Sequence, residues 1–409
     1  MNTRQKHLLL IASFFRMMTL MAFAMVLQYR LRELGASLFL ISMLAAVTGG
    51  MQSITSPLWG KIADASGLRG RLLLLIGVVA VLLYPLYGFL SLPVMFLFIA
   101  GAIAFFEAGF NPIAMSLMSE GSGEDVELRS HNLALFNAAS AAGILAGRLS
   151  LSAALSILPV ATTVLLLAIG TLGAALPTLF LPARSVEPTK TDPPPRPAGY
   201  RHHRLQLFPR KEDLAICGMW AVYLGTFIRN IGVAGFISIS ALYMKEGIGL
   251  SESHSMLVAG IDPLCMFIAH LYFGRKLVRF GIKRTMLLGT LITILSFTFF
   301  WLATSWILTI LGWICIGLAY GAFHNASVTF ISLYFPSARR AEGIGYIWTA
   351  NTLGIMLGPL IAGALAESSY SLMLLGMIGF SLLGLLILWS FVASDERLQS
   401  RNESASQGS

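Results

Sequence analysis

The chain has 409 residues, 56% of them hydrophobic and 11% charged, with 28 Lys and Arg against 19 Asp and Glu. Soluble domains carry about a quarter charged residues, so this composition excludes an ordinary water-soluble domain and places the chain in a bilayer. The basic excess reads first as a topology signal and only weakly as a sign of a nucleic-acid partner.

Arg4, Lys6 and His7 precede an apolar run that is long enough to span and lacks a small-residue cleavage site, so the first element reads as a membrane helix. Twelve runs follow the same pattern, each near the ~20 residues a bilayer requires. The first six cover residues 8–29, 38–59, 72–90, 94–118, 132–155 and 158–181. The other six cover 214–243, 254–274, 285–304, 306–333, 343–366 and 371–392. Connections as short as Ser91-Leu92-Pro93 force neighbours to be antiparallel.

The stretch from Pro57 to Arg71 interrupts this with three glycines, Asp64 and three bases. It carries too much charge for a membrane interior and is too short for a domain, which predicts a tight water-side turn. Gly60 and Gly67 would permit close helix approach and positive φ there. Asp64 could meet a helix N-terminus or a nearby arginine. Residues 182–213 hold seven prolines among bases and polar residues and read as a semi-extended linker, with His202 and His203 as solvated loop. The expected organisation is a first bundle over 1–181, the linker 182–213, a second bundle over 214–392, and a polar tail over 393–409.

Of the 28 basic residues, 22 fall in the N-terminus, the even-to-odd loops, the linker and the tail. Arg30, Arg32 and Lys245 fall on the other side; Arg16, Arg148 and Arg229 are intramembrane. The larger group should be cytoplasmic, which puts both termini and the linker inside. The acids after the fourth run, Glu120, Glu124, Asp125 and Glu127, hardly affect that orientation.

The two halves repeat each other. Arg16 and Glu33 match Arg229 and Glu246, Phe23 matches Phe236, and Asn111 matches Asn325. Gly60 and Gly67 match Gly274 and Gly281, Arg129 matches Arg340, and Gly143 and Gly147 match Gly354 and Gly358. Every pair is separated by 211 to 214 positions. Two six-helix bundles related by an axis along the membrane normal should therefore enclose a central cavity.

The spacing Gly60-x-x-x-Asp64-x-x-Gly67-x-x-x-Arg71 resembles the loop between the second and third helices of major facilitator superfamily (MFS) transporters. The resemblance covers essentially the whole chain apart from linker and tail. It implies an all-α membrane protein of twelve transmembrane helices in two pseudo-symmetric six-helix bundles, working by rocker-switch alternating access. It also implies that the first, fourth, seventh and tenth helices line the cavity, and that Gly60, Asp64, Gly67 and Arg71 belong to a cytoplasmic gate. Val278 stands where the second copy would need its Asp64, so the gate role is carried only to the first half. The fifth helix has Arg148 where many family exporters have proline after the glycine, and the fourth lacks those exporters' arginine.

An ionised side chain at mid-bilayer is costly unless paired or hydrated, so each one marks a candidate site. Arg16 and Arg229 are equivalent and suit two halves gripping one anionic solute; the alternative is that each is neutralised by a fixed acid. Glu107 lies about 11 residues from the end of its run, roughly 16 Å deep, at a depth that predicts a pair with Arg16. Glu107 and Asp262 are the candidate proton carriers. The alternatives are a permanent Glu107–Arg16 bridge, and for Asp262 a static bridge to Arg229 or a place nearer water. Pro263 should free a backbone carbonyl beside Asp262. Asn111, His324 and Asn325 offer polar contacts to the cavity, with Tyr320, Tyr346 and Trp348 as weaker candidates.

Cys217, Cys265 and Cys315 lie far apart in apolar runs and suggest neither a disulfide framework nor zinc. No metal spacing, nucleophile elbow, phosphate loop or redox pair is present, so neither an enzyme nor a cofactor is expected. Three intramembrane bases against two acids leave one positive charge, which leans towards an organic anion. The expected function is proton-coupled movement of a small solute across the cytoplasmic membrane by a monomer, with the bilayer and protons as partners and no nucleic acid. Multidrug-type efflux of amphipathic compounds is the alternative, suggested by 18 Met and 26 Phe. A non-transporting receptor or scaffold is the alternative from another class.

Overall fold

The computed structural model describes residues 3–120, 126–182, 209–335 and 340–396. Its regular structure among those residues is helical throughout. In a hydrocarbon interior every backbone N–H and C=O must find its partner inside the segment, and a helix does this for uniformly apolar sequence. Among the described residues, twelve helices are long and apolar enough to cross a membrane.

In the first half, α1 is Thr3–Glu33, α2 Leu38–Ser66 and α3 Arg69–Leu83. Helix α4 comes in two pieces, Pro93–Glu107 and Phe110–Glu120; α5 is Val126–Ile157 and α6 Val160–Leu179. In the second half, α7 is Met219–Ile237, and α8 is again in two pieces, Glu252–Ala259 and Ile261–Phe280. Helices α9 (Ile282–Leu302), α10 (Trp306–Tyr334), α11 (Arg340–Ser368) and α12 (Tyr370–Phe391) complete it.

The breaks have local causes. Pro112 has no N–H for the carbonyl of Ala108, and α4 parts at Ala108-Gly109. Pro263 likewise offers nothing to the carbonyl of Ala259, and α8 parts at Gly260. The seventh run is not continuous to 243: α7 stops at Ile237, and a short helix and a π-turn carry the chain to Gly247.

The stretch 57–71 is not the loop its composition suggests. Helix α2 runs on to Ser66, and the turn shrinks to Gly67-Leu68. Gly67 takes φ 63° as its C-cap, and its repeat mate Gly281 takes φ 90° at the end of α8. Gly60 is an ordinary helical residue and not a positive-φ turn residue, and a Cβ there would meet no atom within 4 Å among the described residues. Asp64 lies on α2, with its side chain outside the described set, as are those of Arg129 and Val278. Residues 183–208 of the linker, with its histidines, and residues 397–409 of the tail lie outside the described residues, as do Glu124 and Asp125.

The repeat reappears as packing. Helix α1 lies against α5 and α6, as α7 lies against α11 and α12. Gly143 and Gly147 let α5 reach the backbone of Phe14 and Met18; Gly354 and Gly358 let α11 reach that of Phe227 and Ile231. Phe23 packs on Tyr84 and Tyr87, and Phe236 packs on Phe297, Phe300 and Trp313.

The buried apolar residues form three cores. One, far from the termini, draws on both bundles, from Phe23, Tyr29 and Leu151 to Phe236, Met256 and Met377. The other two lie towards the termini and each belongs to a single bundle: Leu9, Trp59 and Phe136 in the first, Met219, Phe323 and Phe330 in the second. The bundles thus share a distal core, while among the described residues each of the two terminal-side cores draws on one bundle alone.

Candidate functional site

Two buried arginines sit at equivalent places in the two bundles, but their surroundings differ. Arg16 is paired within its own bundle. Its Nε donates to Glu107 Oε2 at 2.5 Å, Nη1 to Asn111 Oδ1 at 3.1 Å, and Nη2 to the Glu107 carbonyl at 3.2 Å. Its guanidinium also lies 4.5 Å from the ring centroid of Phe110. The expected Glu107–Arg16 pair is present, with both side chains buried and Asn111 turned to it.

Arg229, 3% exposed, meets no carboxylate among the described residues. Its Nε and Nη2 both donate to Thr293 Oγ1, at 3.1 and 2.8 Å, and its face lies 4.4 Å from the centre of Phe323. The static bridge to Asp262 is therefore not formed. Asp262 turns instead to the other bundle, where its Oδ2 lies 3.2 Å from Arg148 Nη2 in a salt bridge. Arg148 Nη1 also donates to the carbonyl of Ala259, the one that Pro263 leaves free, and its guanidinium stands 5.4 Å from the ring of Trp313. Its Nε has no hydrogen-bond partner among the described residues. Sequence alone missed this pairing; the signal was the Asp262-Pro263 step, which promised a bare carbonyl but not its taker.

Other bonds join the bundles at the same distal level. Ser152 and Ser253 each donate to the other's carbonyl, at 2.9 and 2.8 Å. Arg32 forks onto Glu246 at 2.7 and 3.2 Å, and the Phe39 N–H donates to Glu367 at 2.9 Å.

Arg229 borders a narrow recess between α7, α10 and α11. Tyr320, His324, Trp348 and Asn351 share its lining. The rings of Tyr320 and His324 stack at 5.4 Å and 9°, and Trp348 meets His324 at 5.6 Å while remaining 47% exposed. Asn325 is not in this lining. Its amide donates to the carbonyl of His270 at 3.1 Å, and its Oδ1 lies 3.0 Å from His270 Nδ1, so it ties α10 to α8. Tyr346 packs instead on Tyr223. Asn351 and Phe323 were not singled out from sequence, since nothing in an apolar run marks which face turns inward. The gate residues lie elsewhere, at the terminal end of α2 and the start of α3, with Arg71 exposed.

The comparisons with known proteins agree with the fold. A family model described as Major Facilitator Superfamily matches residues 9–221 and again 222–408. Among solved structures, the nucleoside transporter NupG superposes with a TM-score of 0.77 at 16% identity, covering 96% of this chain and 99% of that one. An inward-facing, occupied bacterial homolog of the human lysosomal transporter Spinster gives 0.74 at 14% identity, with 94% and 95% covered. The peptide transporter POT in complex with sulfate gives 0.72 at 14% identity, with 95% and 94% covered. By sequence, the quinolone resistance protein NorA of Staphylococcus aureus is 24% identical over 152 residues, 37% of this chain and 39% of NorA. The MFS-type transporter MJ1560 of Methanocaldococcus jannaschii is 27% identical over 154 residues, 36% of this chain and 38% of that protein. The match thus spans about two fifths of the length of these relatives.

Proposed function

The chain belongs to the Major Facilitator Superfamily, and on that premise we propose that it is a proton-coupled secondary transporter of a small organic anion. It works in the cytoplasmic membrane as a monomer, with termini and linker on the cytoplasmic side, and catalyses no covalent chemistry. One observation carries the substrate class: Arg229 is a buried cation beside a recess, and no acid among the described residues answers it. Arg16 is answered by Glu107 and Arg148 by Asp262. An anion in the recess supplies the missing countercharge.

The proton reading favours Asp262 over Glu107. Glu107 is paired inside one bundle and stays paired however the bundles tilt. Asp262 is paired across the bundles, so opening the distal side must part it from Arg148. A carboxylate left alone in a low-dielectric interior takes up a proton in preference to keeping its charge. The other titratable neighbours of Asp262 are Tyr320 and Cys265, neither a cation able to replace Arg148. The proton enters while the distal side is open and leaves when the pair reforms. The segment of Gly60, Asp64, Gly67 and Arg71 serves as the cytoplasmic gate that closes when the distal side opens.

The test is proton flux in proteoliposomes with carboxylates, nucleosides and cationic dyes supplied one at a time. Flux should follow the carboxylates, vanish in Arg229→Gln, and lose its pH dependence in Asp262→Asn. Flux driven only by cations or neutral solutes, or unchanged in Arg229→Gln, overturns the reading. A second reading, export of amphipathic compounds, is favoured by the match to NorA. It predicts raised drug sensitivity in cells lacking the protein, with cationic and neutral drugs affected alike.

A further inference from the structure

We infer that the solute is a planar aromatic monocarboxylate, seated end-on against Arg229 with its ring beside Trp348. The inference rests on the anion reading above and narrows it.

The charge follows from counting ions. Among the described residues three intramembrane arginines meet two intramembrane acids, Glu107 and Asp262, so a single negative charge completes the set. A dianion would leave one charge unanswered in the membrane interior, at a cost of several kcal/mol. A cation would add to the imbalance.

The carboxylate follows from the geometry of the donors. A guanidinium has five N–H groups in a rigid fork. Thr293 takes one from Nε and one from Nη2. Both N–H groups of Nη1 and the second of Nη2 remain, and a parallel pair of N–H groups, one from each terminal nitrogen, matches the two oxygens of a carboxylate.

The flat shape follows from the walls. Phe323 covers one face of the guanidinium, the Tyr320–His324 stack forms a flat side, and the Trp348 ring stands exposed at the rim. Offset or edge contacts with such rings add roughly 0.5–1.5 kcal/mol per pair beyond the area they bury. The side-chain amide of Asn351, also in the lining and without a hydrogen-bonding partner among the described residues, can serve a ring substituent.

The test uses the purified full chain in nanodiscs and calorimetric titration with four probes. These are naphthoate, its saturated counterpart decalin carboxylate, the neutral naphthamide, and the dianion phthalate. Naphthoate should bind saturably and at least tenfold tighter than each of the others. Arg229→Gln should abolish that preference over naphthamide, and Arg229→Lys, which keeps the charge without the fork, should weaken naphthoate while preserving the preference. Trp348→Leu should weaken naphthoate and leave decalin carboxylate unchanged. Equal binding of naphthoate and decalin carboxylate overturns the aromatic inference while the anion reading stands. Tighter binding of phthalate overturns the single charge. Equal binding of naphthoate and naphthamide, or binding of none of the four, overturns the inference and the anion reading together.

Discussion

Arg16 and Glu107 illustrate how a buried ion pair behaves when one partner is lost. Removing one member of such a pair costs on the order of 3–5 kcal/mol, because the other charge stays buried without an answer. Glu107→Gln should therefore lower the thermal midpoint of the purified protein by several degrees. The double variant Arg16→Met with Glu107→Leu should recover most of it, read by a melting assay in detergent. A double variant as unstable as the single one would mean that Asn111 or Phe110, not the ionic contact, holds this corner. Arg229 predicts the opposite: with no acid to strand, Arg229→Met should leave the midpoint unchanged or raised while removing anion-driven flux. The depth of Glu107 was legible because rise per residue converts sequence position into height. The partner of Asp262 was not, because height alone cannot choose between Arg229 in its own bundle and Arg148 in the other.

Helices α4 and α8 are each broken ahead of a proline, and each break lies at an ion pair. In α8 the proline leaves the Ala259 carbonyl to Arg148. Pro263→Ala would supply an N–H that reclaims this carbonyl for the helix. Arg148 would lose one of its two anchors, and the distal contact of α5 with α8 should loosen. Cysteines at Ser152 and Ser253, whose hydroxyl oxygens lie 3.2 Å apart, report on that contact through their disulfide yield. The yield should fall in the proline variant, measured with Cys217, Cys265 and Cys315 replaced by serine. An undiminished yield would show that the bare carbonyl contributes nothing to the lock. Helix existence and pairing were readable from apolar length and from the matched glycines, since both are fixed by covalent geometry. The run of α2 past Gly60 to Ser66 was misread because charge marks where water begins and does not require the helix to stop there.

At the scale of the molecule, the bundles share one distal core and keep separate cores on the terminal side. Oxidising the Ser152→Cys/Ser253→Cys pair should hold this state and stop transport, and reduction should restore it. While it is held, Trp348→Cys should react with a membrane-impermeant maleimide from the side of the termini and not from the other. Labelling from the far side would place the opening at the wrong end. The common distal core has a consequence for how the halves find each other. Bundles that already recognise one another through buried side chains have no need of a covalent tether to do so. The two bundles translated as separate polypeptides, divided within 183–208, should reassemble in one membrane into a working carrier, and an affinity tag on either fragment should retrieve its mate.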